Sequence, residues 1–426
     1  MKRNSIIDTI DELEKHTPEF QYIMIPVYED NRIHPADQKV SALYMSDCLH
    51  WDTMIIPINH SEKVGKISLN EVLGLMKEKD LYVWDKKSFL NHIEDSENIH
   101  DIQLNMYYTN ESIEEPNLFR YFYNKFNGFS KINTLIPLAK LYNEIDNWVV
   151  EQDLYSKLKA NYKIFENTYY KSYESTLKTL QQIEKNGIFH SERGIQYTQY
   201  NIYTTTGRPS NRFGGVNYAA LNKSDDTRES YTSRFNDGFL YLYDYQAFHP
   251  TIISNYLKIE RPASISIHTW LGNQYFNKQE LTQEEYDESK RLTFYYLYGN
   301  MSDVLHIPFF SKVKEFVDSI EESGEIRTPI FKRVIKSDGM SKEKIFNYFL
   351  QALETEINFV KMKQLNRLLA NKHSKLVLYT YDSFLIDYSP QDSESIITEI
   401  KKVLEYGNFN VTISKGKNYK NLSYIS

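Results

Sequence analysis

The chain has 426 residues, 50 Lys and Arg against 57 Asp and Glu for a net charge of −7, and one cysteine. At roughly 100–200 residues per domain, this length predicts two or three domains with ample capacity for a core, and Cys48 alone excludes an internal disulfide framework or a cysteine-built zinc site. The opening MKRNSIIDTIDELEK lacks the apolar stretch of a signal peptide, and no run of about eighteen apolar residues occurs. The sequence thus predicts a soluble, cytoplasmic protein that is not secreted and has no membrane partner, and its acidic balance argues against a simple electrostatic binder of nucleic acid.

From Tyr22 to about Asp146, YIMIPVYED, KVSALYMSD and TMIIPINH read as three strands, and SLNEVLGLMKEK as an amphipathic helix. A short strand DLYVW and a helix near Lys87–Ile93 follow, so this part reads as a small α/β or α+β domain. Leu154, Leu158, Tyr162, Phe165, Tyr169, Tyr173, Leu177, Leu180 and Ile183 then recur at spacings of three and four. They predict one helix or two, stopping at Asn186 and Gly187. Beyond Tyr203, short strands carry acids at their ends, and helices between them carry His, Lys and aromatics.

In GFLYLYDYQAFHPTII, alternation leads from Gly238 to Asp244 near a strand end, with a turn expected at His249–Pro250. KLVLYTYDSFLIDY sets Asp382 between two apolar half-strands of a hairpin. Carboxylates flanked by buried strand are costly unless they are paired or hold a cation. Two on neighbouring strands suit Mg²⁺ and in-line phosphoryl transfer. Between them, YDESKRLTFYYLYGN puts Lys290, Phe294 and Tyr298 on one helical face, a cation followed by two flat rings suited to a triphosphate and a base. Taken singly, these segments read more readily as ordinary strand-end acids and core aromatics.

In order, TTTGRPSNRFGGVNYAALN, YDYQAF, SIHTWLGNQYF, KRLTFYYLYG, NYFLQALETE and YTYDSFLID resemble the motif succession of family A DNA polymerases, the DNA polymerase I family, across everything after Tyr203. The resemblance implies an α+β right-hand polymerase of palm, fingers and reduced thumb. It also implies template-directed addition of dNTPs to a primer 3′ end in DNA replication, with primer-template DNA and dNTPs as partners and two Mg²⁺ ions, or Mn²⁺, as cofactors. Residue by residue, it implies Arg208 and Asn217 as DNA contacts and Asp244 and Asp382 as catalytic metal ligands. His268 and Lys290 fall at the nucleotide phosphates, Phe294 and Tyr298 beside the nascent base pair, and Asn347 and Gln351 on template and primer. The domains expected are 1–147, 148–200 as the helical thumb, and 201–426 as palm and fingers, the fingers spanning about 263–345.

The departures from the family pattern are specific. His249 stands where the family has a glutamate that closes on the sugar 2′ position, and a ring there still excludes a 2′-hydroxyl. Tyr286 replaces a common arginine, with Arg291 a substitute that points off the face. Tyr381-Asp382-Ser383 replaces His-Asp-Glu and resembles the Asp-Ser of single-subunit RNA polymerases. A catalytically silent DNA-binding subunit, or an RNA polymerase or primase of the same fold, therefore stays open. DYQAFHPTII also resembles motif A of family B, but that family needs two aspartates one residue apart in motif C, and TTTGRPS has no counterpart there.

Family A enzymes often carry an RNase H-like 3′-5′ exonuclease domain first, and the order of elements in residues 20–146 resembles it. Pro26 and Tyr28 occupy the positions of its first carboxylates, and Asp85 is followed by Phe89. Asp101 and Asp146 are then expected to be surface or structural acids, the domain degenerate, and proofreading absent. A short thumb implies low processivity and a replisome partner, and the compact chain looks phage-type, acting in the cytoplasm of a bacterial host. Arg208, Arg212, Lys223, Arg228, Lys332, Arg333 and Lys336 predict a confined basic groove despite the net charge.

Overall fold

The computed structural model describes residues 5–30, 33–63, 65, 67–111, 135–210, 216, 218–221, 224–262, 265–299 and 301–425, and the chain divides into two compact units, 1–181 and 182–426. In the first, β1 (Ser5–Ile6) precedes α1 (Ile10–His16), β2 (Gln21–Tyr28), β3 (Val40–Asp47) and β4 (Thr53–Pro57). Next come α2 (Leu69–Leu75), β5 (Asp80–Val83), α3 (Lys86–Phe89), β6 (Ile99–Asp101) and α4 (Ile102–Tyr108). The strands form one sheet in the order β1-β4-β3-β2-β5-β6. β3 runs antiparallel to both β2 and β4, whereas β5 and β6 run parallel to β2. All four expected strands are present. β1 and β6, two and three residues long, are too short to show a period. Pro26 is tolerated in this inner strand because β5 pairs only with Gln21–Met24, so at Pro26 that side of β2 needs no donor.

α5 (Leu138–Glu151) precedes the expected helical stretch, which is broken into α6 (Leu154–Asn161), a 3₁₀ turn at Tyr162–Glu166, and α7 (Thr168–Asn186). Residues 148–181 fall within the first unit. Tyr155 and Ser46 share a hydroxyl–hydroxyl bond of 2.7 Å, Tyr170 Oη donates to the Asp101 carbonyl at 2.9 Å, and Glu174 accepts from the Asp101 amide at 2.6 Å. Gly187 follows α7 at φ +57, and a Cβ there would lie 2.6 Å from Ile195 Cγ2.

The second unit opens with a three-stranded sheet of β7 (Ile188–His190), β8 (Gly194–Gln196) and β9 (Tyr231–Thr232). There follow β10 (Phe239–Gln246), α8 (Phe248–Tyr256), α9 (Ile267–Phe276), α10 (Gln283–Tyr298) and α11 (Pro308–Ser323). A small hairpin of β11 (Glu325–Arg327) and β12 (Val334–Lys336) precedes the 28-residue α12 (Lys342–Leu369), about 42 Å long at 1.5 Å per residue. The chain ends with β13 (Lys375–Thr380), β14 (Ser383–Tyr388), α13 (Ser395–Glu405), β15 (Asn410–Gly416) and β16 (Ser423–Tyr424).

The central sheet runs β13-β14-β10-β15-β16, antiparallel throughout. Alternation along β10 buries Tyr243 and Tyr245, whose hydroxyls donate to Ile397 and Leu404 carbonyls of α13. Asp244 therefore falls on the other face of the strand. The turn expected at His249–Pro250 is instead the start of α8. Ala247, at φ +50, turns the chain, and Pro250 lies in the first helical turn, where a missing N–H leaves no helical bond unmade. α9 and α10 pack closely at Gly272, where a Cβ would lie 2.8 Å from that of Ser289. Among the described residues no helix is long and apolar enough to cross a membrane.

Candidate functional site

Asp244 lies two residues before the end of β10, and Asp382 occupies the two-residue turn between β13 and β14. In the β10–β14 register Asp244 is opposite Ser383, and the Tyr245 amide donates to the Asp382 carbonyl at 3.0 Å. The two aspartates thus sit at the same end of neighbouring strands, about 4.8 Å apart in the pairing direction. The turn places Tyr381 at φ +57, a left-handed conformation unfavourable for a tyrosine. Two neighbours hold it there. Asn358 Nδ2, on α12, donates to the Tyr381 carbonyl at 2.7 Å and to Tyr379 Oη at 3.1 Å, and the Arg208 guanidinium lies 3.8 Å from the centre of the Tyr381 ring. Ser383, where a third carboxylate was missing, keeps its hydroxyl inside the hairpin, 2.7 Å from Thr380 Oγ1.

Asn347, Gln351, Glu354 and Asn358 fall at i, i+4, i+7 and i+11 and so share one face of α12. Gln351 Nε2 donates to Asn347 Oδ1 at 3.1 Å, and Thr206 of the TTTGR segment donates to Gln351 Oε1 at 3.3 Å. That segment closes on itself through Gly207 at φ +76, whose amide donates to the Thr204 carbonyl, and it is tied down by Arg333 Nη2 on the Thr205 carbonyl at 2.6 Å. Glu354 is 1% exposed. Its Oε1 faces Arg208 Nη2 at 3.3 Å, while Oε2 is hydrogen-bonded to His249 Nε2. His249 Nδ1 in turn bonds the Tyr298 hydroxyl.

Residues far apart in sequence therefore converge: Arg208, His249 from α8, Tyr298 from α10, Glu354 and Asn358 from α12, and Tyr381. Glu354 and Asn358 escaped the sequence reading. Their signal was the polar stripe itself, in a helix otherwise filled by residues such as Phe346, Phe349, Leu350 and Leu353. Part of the Asp382 surface is open to solvent, yet the surrounding protein raises its carboxyl pKa and the nearby Glu354 carboxylate adds to this, with Arg208 and His249 opposing. Burial first, then Glu354, also raises the Tyr298 hydroxyl, which stays protonated.

On α10, Lys290, Phe294 and Tyr298 share a face as their spacing requires, the two rings parallel within 5° and 6.0 Å apart. Lys290 Nζ lies 3.2 Å from Asp287 and 4.3 Å over the Tyr286 ring, whereas Arg291 pairs with Glu288 off this face. His268 is 5% exposed, with Phe294 at 5.6 Å and Tyr286 at 6.5 Å. Burial, then Lys290, lowers its imidazole to about 4, so near neutral pH it is uncharged.

Asn217, Arg212 and Lys223 lie outside the described residues. The expected basic groove loses two members. Arg228 donates to the Leu221 carbonyl at 2.8 Å and stacks on Tyr419, and Arg333 is 4% exposed on the Thr205 carbonyl. Lys332 and Lys336 remain at the surface. Formal charge in a sequence does not report exposure, and both arginines are structural.

Among the described residues no three His, Cys, Asp or Glu side chains are grouped to hold a metal ion. The chain offers two carboxylates. That fits Mg²⁺, which keeps water and substrate oxygens as most of its ligands.

No protein-family model matches the chain, and no curated protein matches it in sequence. Among solved structures it is similar to the POL domain of Pol1 from M. smegmatis, in complex with DNA primer-template and dNTP. The TM-score is 0.63 across 98% of this chain and 99% of that one, at 12% identity. The fold is that of a DNA polymerase domain.

Proposed function

We propose that the chain is a template-directed DNA polymerase, a compact phage-type member of the DNA polymerase I family, extending a primer 3′ end with dNTPs. The observation that supports it is the pairing of Asp244 with the Asp382 turn inside a polymerase fold. In the reaction the primer 3′-oxygen attacks the α-phosphate, a P–O bond forms, and pyrophosphate leaves. Two Mg²⁺ ions, when held by Asp244 and Asp382, supply charge neutralisation at the phosphate and lower the pKa of the 3′-hydroxyl.

Lys290 binds the departing phosphates, exchanging Asp287 for them, while the neutral His268 contributes a hydrogen bond rather than charge. Phe294 and Tyr298 line the nascent base pair, and movement of α10 couples correct pairing to assembly of the site. Arg208, Asn217, Asn347 and Gln351 contact primer and template. The His249 ring excludes a 2′-hydroxyl.

In the first unit, three antiparallel strands followed by two parallel ones support an RNase H-like, exonuclease-type domain over 1–147. Its remaining acids have structural work: Asp101 accepts from the Lys86 and Leu104 amides, and Asp146 from Tyr44 Oη at 2.8 Å. The domain is therefore a scaffold without proofreading. A reduced thumb over 148–200 implies low processivity and a replisome partner. The Tyr381-Asp382-Ser383 turn favours, as a second reading, an RNA polymerase or primase of this fold. Side-by-side extension with dNTPs and rNTPs, with and without primer, separates the two. Primer-dependent dNTP incorporation supports the first, and primer-independent rNTP synthesis the second.

A further inference from the structure

We propose that Glu354 is a positioning residue of the nucleotide site, fixing the His249 ring and so setting discrimination against a 2′-hydroxyl. This rests on the polymerase reading above. Glu354 stands in the middle of a helix at 1% exposure, where a carboxylate is costly unless its partners are well placed. Its partners are Arg208 at 3.3 Å and His249 Nε2.

His249 is bonded at both ring nitrogens, Nε2 to Glu354 and Nδ1 to the Tyr298 hydroxyl. Nε2–H donates to the carboxylate, and Nδ1 shares a hydrogen bond with the tyrosine hydroxyl. A carboxylate behind a histidine fixes both tautomer and orientation, as it does behind metal-bound histidines.

The consequence is steric. A wall that rejects one hydroxyl must be held to a fraction of an ångström, and a histidine bonded at one nitrogen alone is free to swing about its side-chain torsions. With both nitrogens tied, His249 links α12 to α8 and α10, and its side chain is 12% exposed. Through Tyr298 the same bond also fixes the ring parallel to Phe294.

The test is kcat/KM for a matched dNTP and the corresponding rNTP in the wild type, Glu354→Gln, Glu354→Ala, His249→Ala and the His249→Ala/Glu354→Ala double variant. The dNTP:rNTP ratio is expected to fall about tenfold or more in Glu354→Ala and less in Glu354→Gln, which can still accept from Nε2–H. Adding Glu354→Ala to His249→Ala should change the ratio by less than about twofold. Equal slowing on both substrates, with the ratio intact, shows a purely structural residue and overturns the proposal.

A second readout does not depend on catalysis. In ¹⁵N-histidine spectra the His249 ring N–H, assigned by its loss in His249→Ala, should exchange slowly with solvent in the wild type and fast in Glu354→Ala. Unchanged exchange overturns the positioning role. Absence of primer extension by the wild type, with the exchange difference present, overturns the polymerase reading and leaves the positioning intact.

Discussion

Asn358→Leu removes the side chain that holds the Asp382 turn while keeping its volume. Asn358 is fully buried, and its Nδ2 bonds the Tyr381 carbonyl at 2.7 Å and Tyr379 Oη at 3.1 Å. Each lost bond costs about 1 kcal/mol net, and the Tyr381 carbonyl, shut off from water by the leucine, adds roughly 1–3 kcal/mol. The expected loss is therefore about 3–5 kcal/mol in urea unfolding of the second unit. Tyr381 sits at φ +57, so without this anchor the turn relaxes and Asp382 moves. A displacement near 1 Å costs about 10²-fold in turnover. Single-turnover primer extension, corrected for folded fraction, should show that loss. A variant destabilised by the expected amount but turning over within about threefold of wild type would refute the idea that Asn358 positions Asp382.

Lys290→Ala should raise the dNTP KM by about tenfold or more while primer-template affinity, read by fluorescence anisotropy, is unchanged; an equal loss in DNA affinity would place Lys290 on the DNA instead. Asp101, fully buried, has its carboxyl raised to about 7, burial outweighing the amides that it accepts from. The folded state then holds a proton that the unfolded chain has lost between about pH 4 and pH 7, so stability falls as pH rises through that window, by up to about 1.4 kcal/mol for each pH unit. Urea midpoints of the wild type should decline relative to Asp101→Asn over that range, whereas parallel curves would contradict it.

Asp244, Asp382 and the face of Lys290, Phe294 and Tyr298 were legible because each rests on a local period, two along a strand and about 3.6 along a helix. The central strands of the first unit were legible as short, mostly apolar runs, buried along almost their whole length. Their order was not, since pairing in β1-β4-β3-β2-β5-β6 is a non-local property. Glu354 and Asn358 were hidden for a different reason. α12 is buried over most of its circumference, so its apolar residues define no single face, and polar residues inside it show only as exceptions. The start of α8 was misread because Pro250 marks a turn as readily as a first helical turn. Arg228 and Arg333 show the limit of charge patterns: both count toward a basic groove in sequence, yet their guanidinium groups satisfy carbonyls inside the fold.

The central claim, that Asp244 and Asp382 together carry nucleotidyl transfer, is tested most directly by Mg²⁺-dependent primer extension with dNTPs by wild type, Asp244→Asn and Asp382→Asn, with DNA binding measured in parallel. Templated extension by the wild type, abolished in both variants with primer-template binding retained, is the predicted result. Undiminished extension by either variant, or a wild type that binds primer-template but adds no nucleotide, would contradict it.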